Sequence, residues 1–142
     1  MSAWLGVVSF EHVRRAVSLG IAQIGHGKRA GLLRMHAGDT LIYYSSVERI
    51  GDRTPLQQFT AIAEIADDEI WQADEGDFKP FRRRARYLDT APVELASVRN
   101  QLHLTAEANW GYQLRRNIVP LDEHDANLLR SMMEGGAVGQ PA

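Results

Sequence analysis

Apolar and polar residues change rhythm several times along the chain, and these changes divide it into short elements. Ala3-Trp4-Leu5-Gly6-Val7-Val8 is a brief apolar, β-rich run and predicts a first strand. From Phe10 to Leu19 the spacing becomes helical, with Val13, Ala16 and Val17 as an apolar stripe and Arg14, Arg15 and Ser18 facing out. Ser9 suits the N-cap, Glu11 meets the positive end of the helix dipole, and Gly20 is a natural stop. Periodicity then lapses over the glycine-punctuated loop Gly20 to Arg29, and Leu32 to His36 predicts one irregular helical turn.

Ala37-Gly38-Asp39 reads as a turn into a strand over Thr40–Ser45, and Val47 to Pro55 as a surface loop. Gln58 to Ile65 predicts another strand, with Phe59, Ala61, Ala63 and Ile65 on one face, and a short strand comes next at Glu69–Gln72. Phe81 to Leu88 alternates Phe81, Arg83, Ala85 and Tyr87 against Arg82, Arg84, Arg86 and Leu88, so that one face is cationic. Thr90 and Pro92 predict the start of a helix with Leu95, Val98 and Leu102 as its stripe. A last strand over Tyr112–Val119 closes with Pro120, and Asp122 caps a final helix carrying Leu128, Leu129, Met132 and Met133. Five or six strands with about three helices, not in regular β-α alternation, predict an α+β fold: a mixed, partly closed β-barrel with helices outside. It forms one domain over residues 1–134, with a disordered tail over 135–142.

Composition excludes several classes. A chain of 142 residues with 44% hydrophobic and 24% charged residues holds one real core and is not a disordered segment. Its formal net charge of −2 rules out a globally basic nucleic-acid coat, so a polyanion would need a local patch. Lys28, Arg29 and Arg34 form one basic cluster; Lys79, Arg82, Arg83, Arg84 and Arg86 form another. Between Pro55 and Phe78 there is no Lys or Arg, while Glu64, Asp67, Asp68, Glu69, Asp74, Glu75 and Asp77 all fall there. There is no cysteine, hence no disulfide, thiol nucleophile or cysteine-based zinc site. Met1 to Ser9 has no signal-peptide pattern and no stretch is long and apolar enough to span a bilayer, so a cytoplasmic protein without membrane partners is expected.

Nucleotide motifs fail on inspection. A P-loop would need glycine and serine or threonine where Ala22 and Arg29 stand. Gly25-His26-Gly27-Lys28-Arg29-Ala30 matches the loose G-x-G-x-x-A pattern, but a helix precedes it, and Gly31 and Gly38 prevent a sustained helix after it. His12, His26, His36, His103 and His124 show no metal-ligand spacing, so no metal and no cofactor is expected; His103 and His124 read as surface residues at helix ends. His12 and His26, which flank the glycine loop, are the better site candidates.

The residues resemble a known family. Trp4-x-x-Val7-Val8-Ser9-x-x-His12, Gly20-x-Ala22-Gln23, His26-Gly27-Lys28, Arg34-Met35-x-x-Gly38-Asp39 and Tyr43-Tyr44-Ser45 occur in that order. Phe59-Thr60-Ala61-Ile62, Pro80-Phe81-Arg82-Arg83 and Asn109-Trp110-Gly111-Tyr112-Gln113 come after them. Their succession resembles the EVE domain of the PUA-like superfamily, over roughly Ala3 to Met133. The resemblance implies a PUA-like β-barrel with a pocket beside the first strand and the glycine loop. EVE domains are related to YTH and ASCH domains and are regarded as readers of modified nucleic-acid bases.

A reader must extrude its base from the stack and compensate with flat apolar walls and edge-directed hydrogen bonds. On that reading Trp4 and Trp110, beside Gly111, supply π-faces, and strand alternation sends one of Tyr43 and Tyr44 inward. Ser9, His12, Gln23 and Ser45 offer donors and acceptors, and the Gly25-His26-Gly27 backbone approaches the ligand. Lys28, Arg29, Arg82 and Arg84 would hold flanking phosphates. The function expected is non-enzymatic binding of a modified base, a modified cytosine in DNA or a modified base in RNA, by a monomer or weak dimer. A hydrolytic enzyme acting on modified nucleosides, with His12 or Lys28 moving the proton, and a small-molecule or nucleotide sensor are the alternatives.

Overall fold

Strand β1 (Ala3–Val7) lies beside both its neighbours in a mixed sheet: parallel to β3 (Thr40–Ser45) and antiparallel to β7 (Ile118–Leu121). This is a computed structural model that describes residues 1–138. Helix α1 (Phe10–Leu19) comes after β1, then β2 (Ile21–Ala22) and two single-turn 3₁₀ segments at Gly25–Gly27 and Leu32–Arg34. The long β4 (Gln58–Gln72) pairs with β3, with β5 (Phe81–Tyr87) and with the short β6 (Val93–Glu94). Three one-turn helices, α2 (Leu95–Val98), α3 (His103–Ala106) and α4 (Trp110–Gln113), precede β7, and α5 (Glu123–Val138) ends the described chain. The strands run β2-β5-β4-β3-β1-β7 as an open sheet, with β6 added to β4, so the described residues form seven strands where five or six were expected.

Strand alternation divides the apolar residues between two cores. Leu41 and Tyr43 of β3 join Val13 of α1, Ile24, Leu32 and Met35 on one side. Ile42 and Tyr44 join Leu5, Phe59 and the helical residues Leu95, Val98, Leu129 and Met133 on the other. Both tyrosines are therefore core residues, at 0% and 1% exposure.

Several local expectations are realised by the forces that suggested them. Ser9 caps α1 by accepting the His12 N–H, and Gly20 closes the helix in the left-handed region. Asp122 accepts the Asp125 N–H at 2.8 Å and so caps α5. Other expectations are corrected. Val17 is 44% exposed, and the buried stripe of α1 is Val13 and Ala16. Phe59 faces away from Ala61 because the β3–β4 register shifts between Tyr43 and Tyr44, pairing them with Ala61 and Phe59 and leaving Thr60 as the extra residue. The Glu69–Gln72 strand is the far end of β4, with a second irregularity between Ile65 and Ile70. Val93 and Glu94 bond to β4 before the helix begins, so α2 starts at Leu95 and Thr90 does not cap it. Tyr112–Val119 is not a strand: Trp110 to Gln113 forms α4, and the strand is Ile118–Leu121, with Pro120 tolerated because β7 lies at the sheet edge. Helix α5 continues through Gly135 to Val138, where an unstructured tail was expected; residues 139–142 of that tail lie outside the described residues. No helix among the described residues is long and apolar enough to cross a membrane.

Candidate functional site

The end of β1, the first turn of α1 and the Gly25–Gly27 turn enclose a cavity of about 430 Å³. Its inner wall carries Ser9 and Gln23, exposed by only 8% and 4%, together with His12. Its mouth carries Ile50 and Phe78, exposed by 78% and 43%. Val7, Val8, Val47 and Asn117 complete much of the wall between them. Among the described residues, no aspartate, glutamate, lysine or arginine lines it.

Hydrogen bonds fix the polar inner wall in one orientation. The Gln23 backbone N–H donates to the Tyr43 hydroxyl at 3.3 Å, and that hydroxyl lies 3.4 Å from the Gln23 carbonyl oxygen. Burial pushes the Tyr43 phenol above its usual range, so it stays protonated at neutral pH. His12 Nε2 is 3.0 Å from the same Gln23 carbonyl. Burial outweighs that bond, and the charges of Arg82 and Arg15 act with it, so the His12 pKa falls below its ordinary value. A neutral ring donating from Nε2 carries a bare Nδ1, an acceptor at the cavity wall.

The Gln23 side chain is set by an ionic relay. Arg82 Nε donates to Gln23 Oε1 at 2.8 Å, and Arg82 Nη2 donates to Glu75 at 2.9 Å. Glu75 also pairs with Arg15, and the Arg82 bond holds its carboxyl below the usual range. With its oxygen taken by Arg82, the Gln23 amide presents its NH₂, which finds no protein acceptor among the described residues. This arrangement offers a donor pair from Gln23, an acceptor from His12 and the Ser9 hydroxyl along one wall, below two apolar groups at the mouth.

The rim turn has unusual backbone geometry. Gly25, His26 and Gly27 are all left-handed, with φ of 59°, 57° and 82°. A Cβ on Gly27 would stand 2.6 Å from Pro80 Cβ, and one on Gly25 would stand 3.2 Å from Asn117 Nδ2. Glycine at both positions lets the turn close on Pro80 and Asn117. For His26 the conformation is unfavourable by roughly 1–2 kcal/mol, and its exposed side chain lies at the cavity.

Of the residues expected to form the site, the fold brings Ser9, His12, Gln23, Gly25 and His26 to this cavity. Arg82 reaches it indirectly through Gln23. Tyr43 supports it from the core, whereas Tyr44 lies in the opposite core against Phe59. Ser45 is buried and bonds to Thr60 at 3.0 Å; its neighbour Ser46 is the lining residue. Gly27 is buried against Pro80 and Phe78. Trp4 and Trp110 lie outside the cavity: Trp4 Nε1 donates to Asp39 at 3.1 Å under Arg34, and Trp110 packs on the second core under Arg99, with Gly111 beside it in α4. Asp39 stays a strong acceptor: burial works upward on its pKa, but the His36 and Ser2 N–H groups and the Trp4 indole bring it below the usual range. Arg84 is taken by Asp67 and Glu69, at 3.1 and 3.3 Å. Lys28 and Arg29 are exposed past the rim.

Sequence reasoning missed Ile50, Phe78 and Asn117. Phe78 left a signal, as a lone aromatic in the polar stretch Asp74 to Lys79; Asn117 left none, because its place depends on where β7 pairs. Elsewhere His103, Asp122, His124 and Asp125 gather with possible ligand atoms within 4.8 Å of one another, which their sequence spacing did not suggest. Their polar atoms are already engaged: Asp125 accepts the His103 and Leu104 N–H groups, and each ring faces a carboxylate.

Comparison with known proteins agrees with this architecture. The family model for the EVE domain matches residues 2–132. A UPF0310 protein of Renibacterium salmoninarum is 52% identical over 127 residues, covering 89% of this chain and 91% of that protein. The crystal structure of a protein from Agrobacterium tumefaciens superposes with a TM-score of 0.59 at 16% identity, covering 99% and 97% of the two chains. That of a variant ASCH protein from Zymomonas mobilis gives 0.57 at 12% identity, covering 94% and 99%. At these identities the structural matches speak for the fold.

Proposed function

The chain belongs to the EVE domain family, and on that premise we propose that it is a non-enzymatic module that binds a modified nucleic-acid base, a modified cytosine in DNA or a modified base in RNA. The observation that carries this reading is the oriented polar wall: Gln23, turned by Arg82, beside a neutral His12, at the back of a cavity of about 430 Å³. That volume lies within the roughly 300–1,000 Å³ of small-molecule pockets. A base has donors and acceptors along one edge and flat apolar faces, and Phe78 and Ile50 are placed to flank such faces. Stacking of a base on an aromatic side chain contributes about 1–3 kcal/mol toward the few kcal/mol that extrusion from a stack costs, and the polar wall supplies further hydrogen bonds.

One observation favours the hydrolytic alternative: His12 is unprotonated, half-buried and at the cavity wall, as a general base would be. Among the described residues the same cavity has no lining carboxylate to serve as its acid partner, and Glu75 is held by two arginines. Binding without turnover is the better fit.

The test titrates the protein with matched modified and unmodified DNA and RNA oligonucleotides and with the free nucleosides. A preference for one modification that Gln23→Ala or Phe78→Ala abolishes, and that Trp110→Ala leaves intact, supports the reading. Equal affinity for modified and unmodified oligonucleotides across the panel overturns it. Turnover of a nucleoside that disappears in His12→Gln would move the chain to the enzymatic reading.

A further inference from the structure

We propose that the groove next to the cavity is a phosphodiester track, so that a strand whose base enters the cavity leaves over Gly25 and Asn117, toward Lys28, Arg34 and Arg116. The proposal rests on the base-binding reading above and adds the path of the chain. The groove measures about 240 Å³ and shares Ile24, Gly25 and Asn117 with the cavity, so the two depressions have a common wall.

Three segments that are separate in sequence each contribute a cation. Lys28 comes directly after the left-handed turn, Arg34 ends the second 3₁₀ turn, and Arg116 lies just before β7. All three are exposed, and none forms an ion pair among the described residues. Arg116 Nη1 bonds to the neutral Gln113 Oε1 at 3.2 Å. Arg34 lies over the Trp4 ring, 4.8 Å from its centroid, a contact that holds the flat guanidinium and leaves its N–H edge available. Among the described residues no carboxylate lines the groove, so the converging positive charge is uncompensated until an anion arrives.

Position identifies the anion. A base held in the cavity carries phosphates on both sides of its sugar, and the groove begins at the cavity wall. The β5 arginines of the other basic segment do not compete for them: Arg82, Arg84 and Arg86 are bound to Glu75, to Asp67 and Glu69, and to Glu64. Glycine at position 25 serves both depressions, because a side chain there would displace the Asn117 amide that lies between them.

The experiment measures binding of unmodified single-stranded oligothymidylate as a function of salt, alongside the preference for a modified oligonucleotide. Each phosphate contact on a single strand adds about 0.7 to the slope of log K against log salt. In Lys28→Gln/Arg34→Gln/Arg116→Gln the slope should fall by about 2, and affinity at low salt by more than tenfold. Arg86→Gln should keep the wild-type slope. A wild-type slope in the triple variant, or a slope lost in Arg84→Gln instead, overturns the track. The two readings fail separately: no preference for any modified oligonucleotide, with the slope falling in the triple variant, overturns the cavity alone, and a wild-type slope in the triple variant, with the preference present, overturns the groove alone.

Discussion

The two basic segments of the chain, Lys28 to Arg34 and Lys79 to Arg86, look alike in sequence and are opposite in structure. On β5 the arginines serve the fold. Arg83 is 2% exposed and its guanidinium donates to the carbonyls of Leu32, Met35 and Asp67, which pins the second 3₁₀ turn to the sheet. Arg82 orients Gln23, and Arg84 and Arg86 pair with carboxylates of the neighbouring β4. In the loop, Lys28 and Arg34 have no carboxylate partner among the described residues. Charge density along a chain therefore says little about which charges are available. What decides is whether the neighbouring strand carries the opposite sign.

Removing Arg83 should have the largest effect on this contrast. Arg83→Leu leaves the carbonyls of Leu32, Met35 and Asp67 without this donor, and each buried acceptor left unsatisfied lowers stability by about 1–3 kcal/mol. Urea unfolding should show it, and an unchanged midpoint would mean the arginine is not holding the turn. Second, Gln23→Ala should weaken binding of the preferred modified base roughly 10- to 100-fold, as expected for about 1–3 kcal/mol of lost hydrogen bonding, with little change in the salt slope. Arg82→Met should reproduce much of this by freeing the Gln23 amide to rotate. If Arg82→Met binds normally, the relay is not what orients the wall.

Third, Gly25→Ala places a side chain at φ 59° against Asn117 and should destabilise the fold by about 1 kcal/mol; equal stability would show that the turn relaxes freely. Fourth, pH discriminates the interior from the rim. The folded His12 pKa lies below the ordinary 6.5, so on acidification the unfolded chain takes up this proton first. The associated stability is present above about 6.5 and is lost as pH falls through the lower folded value. His12→Gln should flatten that acid limb in urea midpoints measured against pH, and an unaltered limb would exclude His12 as its source. Smallest of all, Arg84→Gln should leave the unfolding midpoint unchanged at moderate salt, because its ion pairs are exposed and screened.

Much of the fold was legible where local chemistry decides it. The Ser9 cap, the Gly20 stop and the strand Thr40–Ser45 are each set by a few adjacent residues, and each is found as read. The Thr60 bulge was not legible, because it arises from the pairing of β3 with β4 and reverses Phe59 without altering the local pattern. The tryptophans mark the limit at the site. An aromatic at an element boundary suits a cavity wall or a core equally, and Trp4 is committed by its register opposite Leu41 and Pro120. One signal was present and went unread. The acidic stretch Glu64 to Glu75 and the basic stretch Arg82 to Arg86 run in opposite directions across the β4–β5 pair, so their charges match in order: Glu64 with Arg86, Asp67 with Arg84, Asp68 with Arg83, Glu75 with Arg82.

The Arg34–Trp4 contact gives the molecule a built-in optical readout. Each of the three tryptophans lies under an arginine, Trp4 under Arg34, Trp71 under Arg84 and Trp110 under Arg99. Only the first of these arginines lines the groove beside the cavity. A polyanion that draws Arg34 away alters the electric field across the Trp4 indole, and with it the wavelength at which that ring emits. Trp71 and Trp110, whose arginines stay in place, supply a constant background. Occupancy of the groove can then be followed in the unlabelled protein by its own emission.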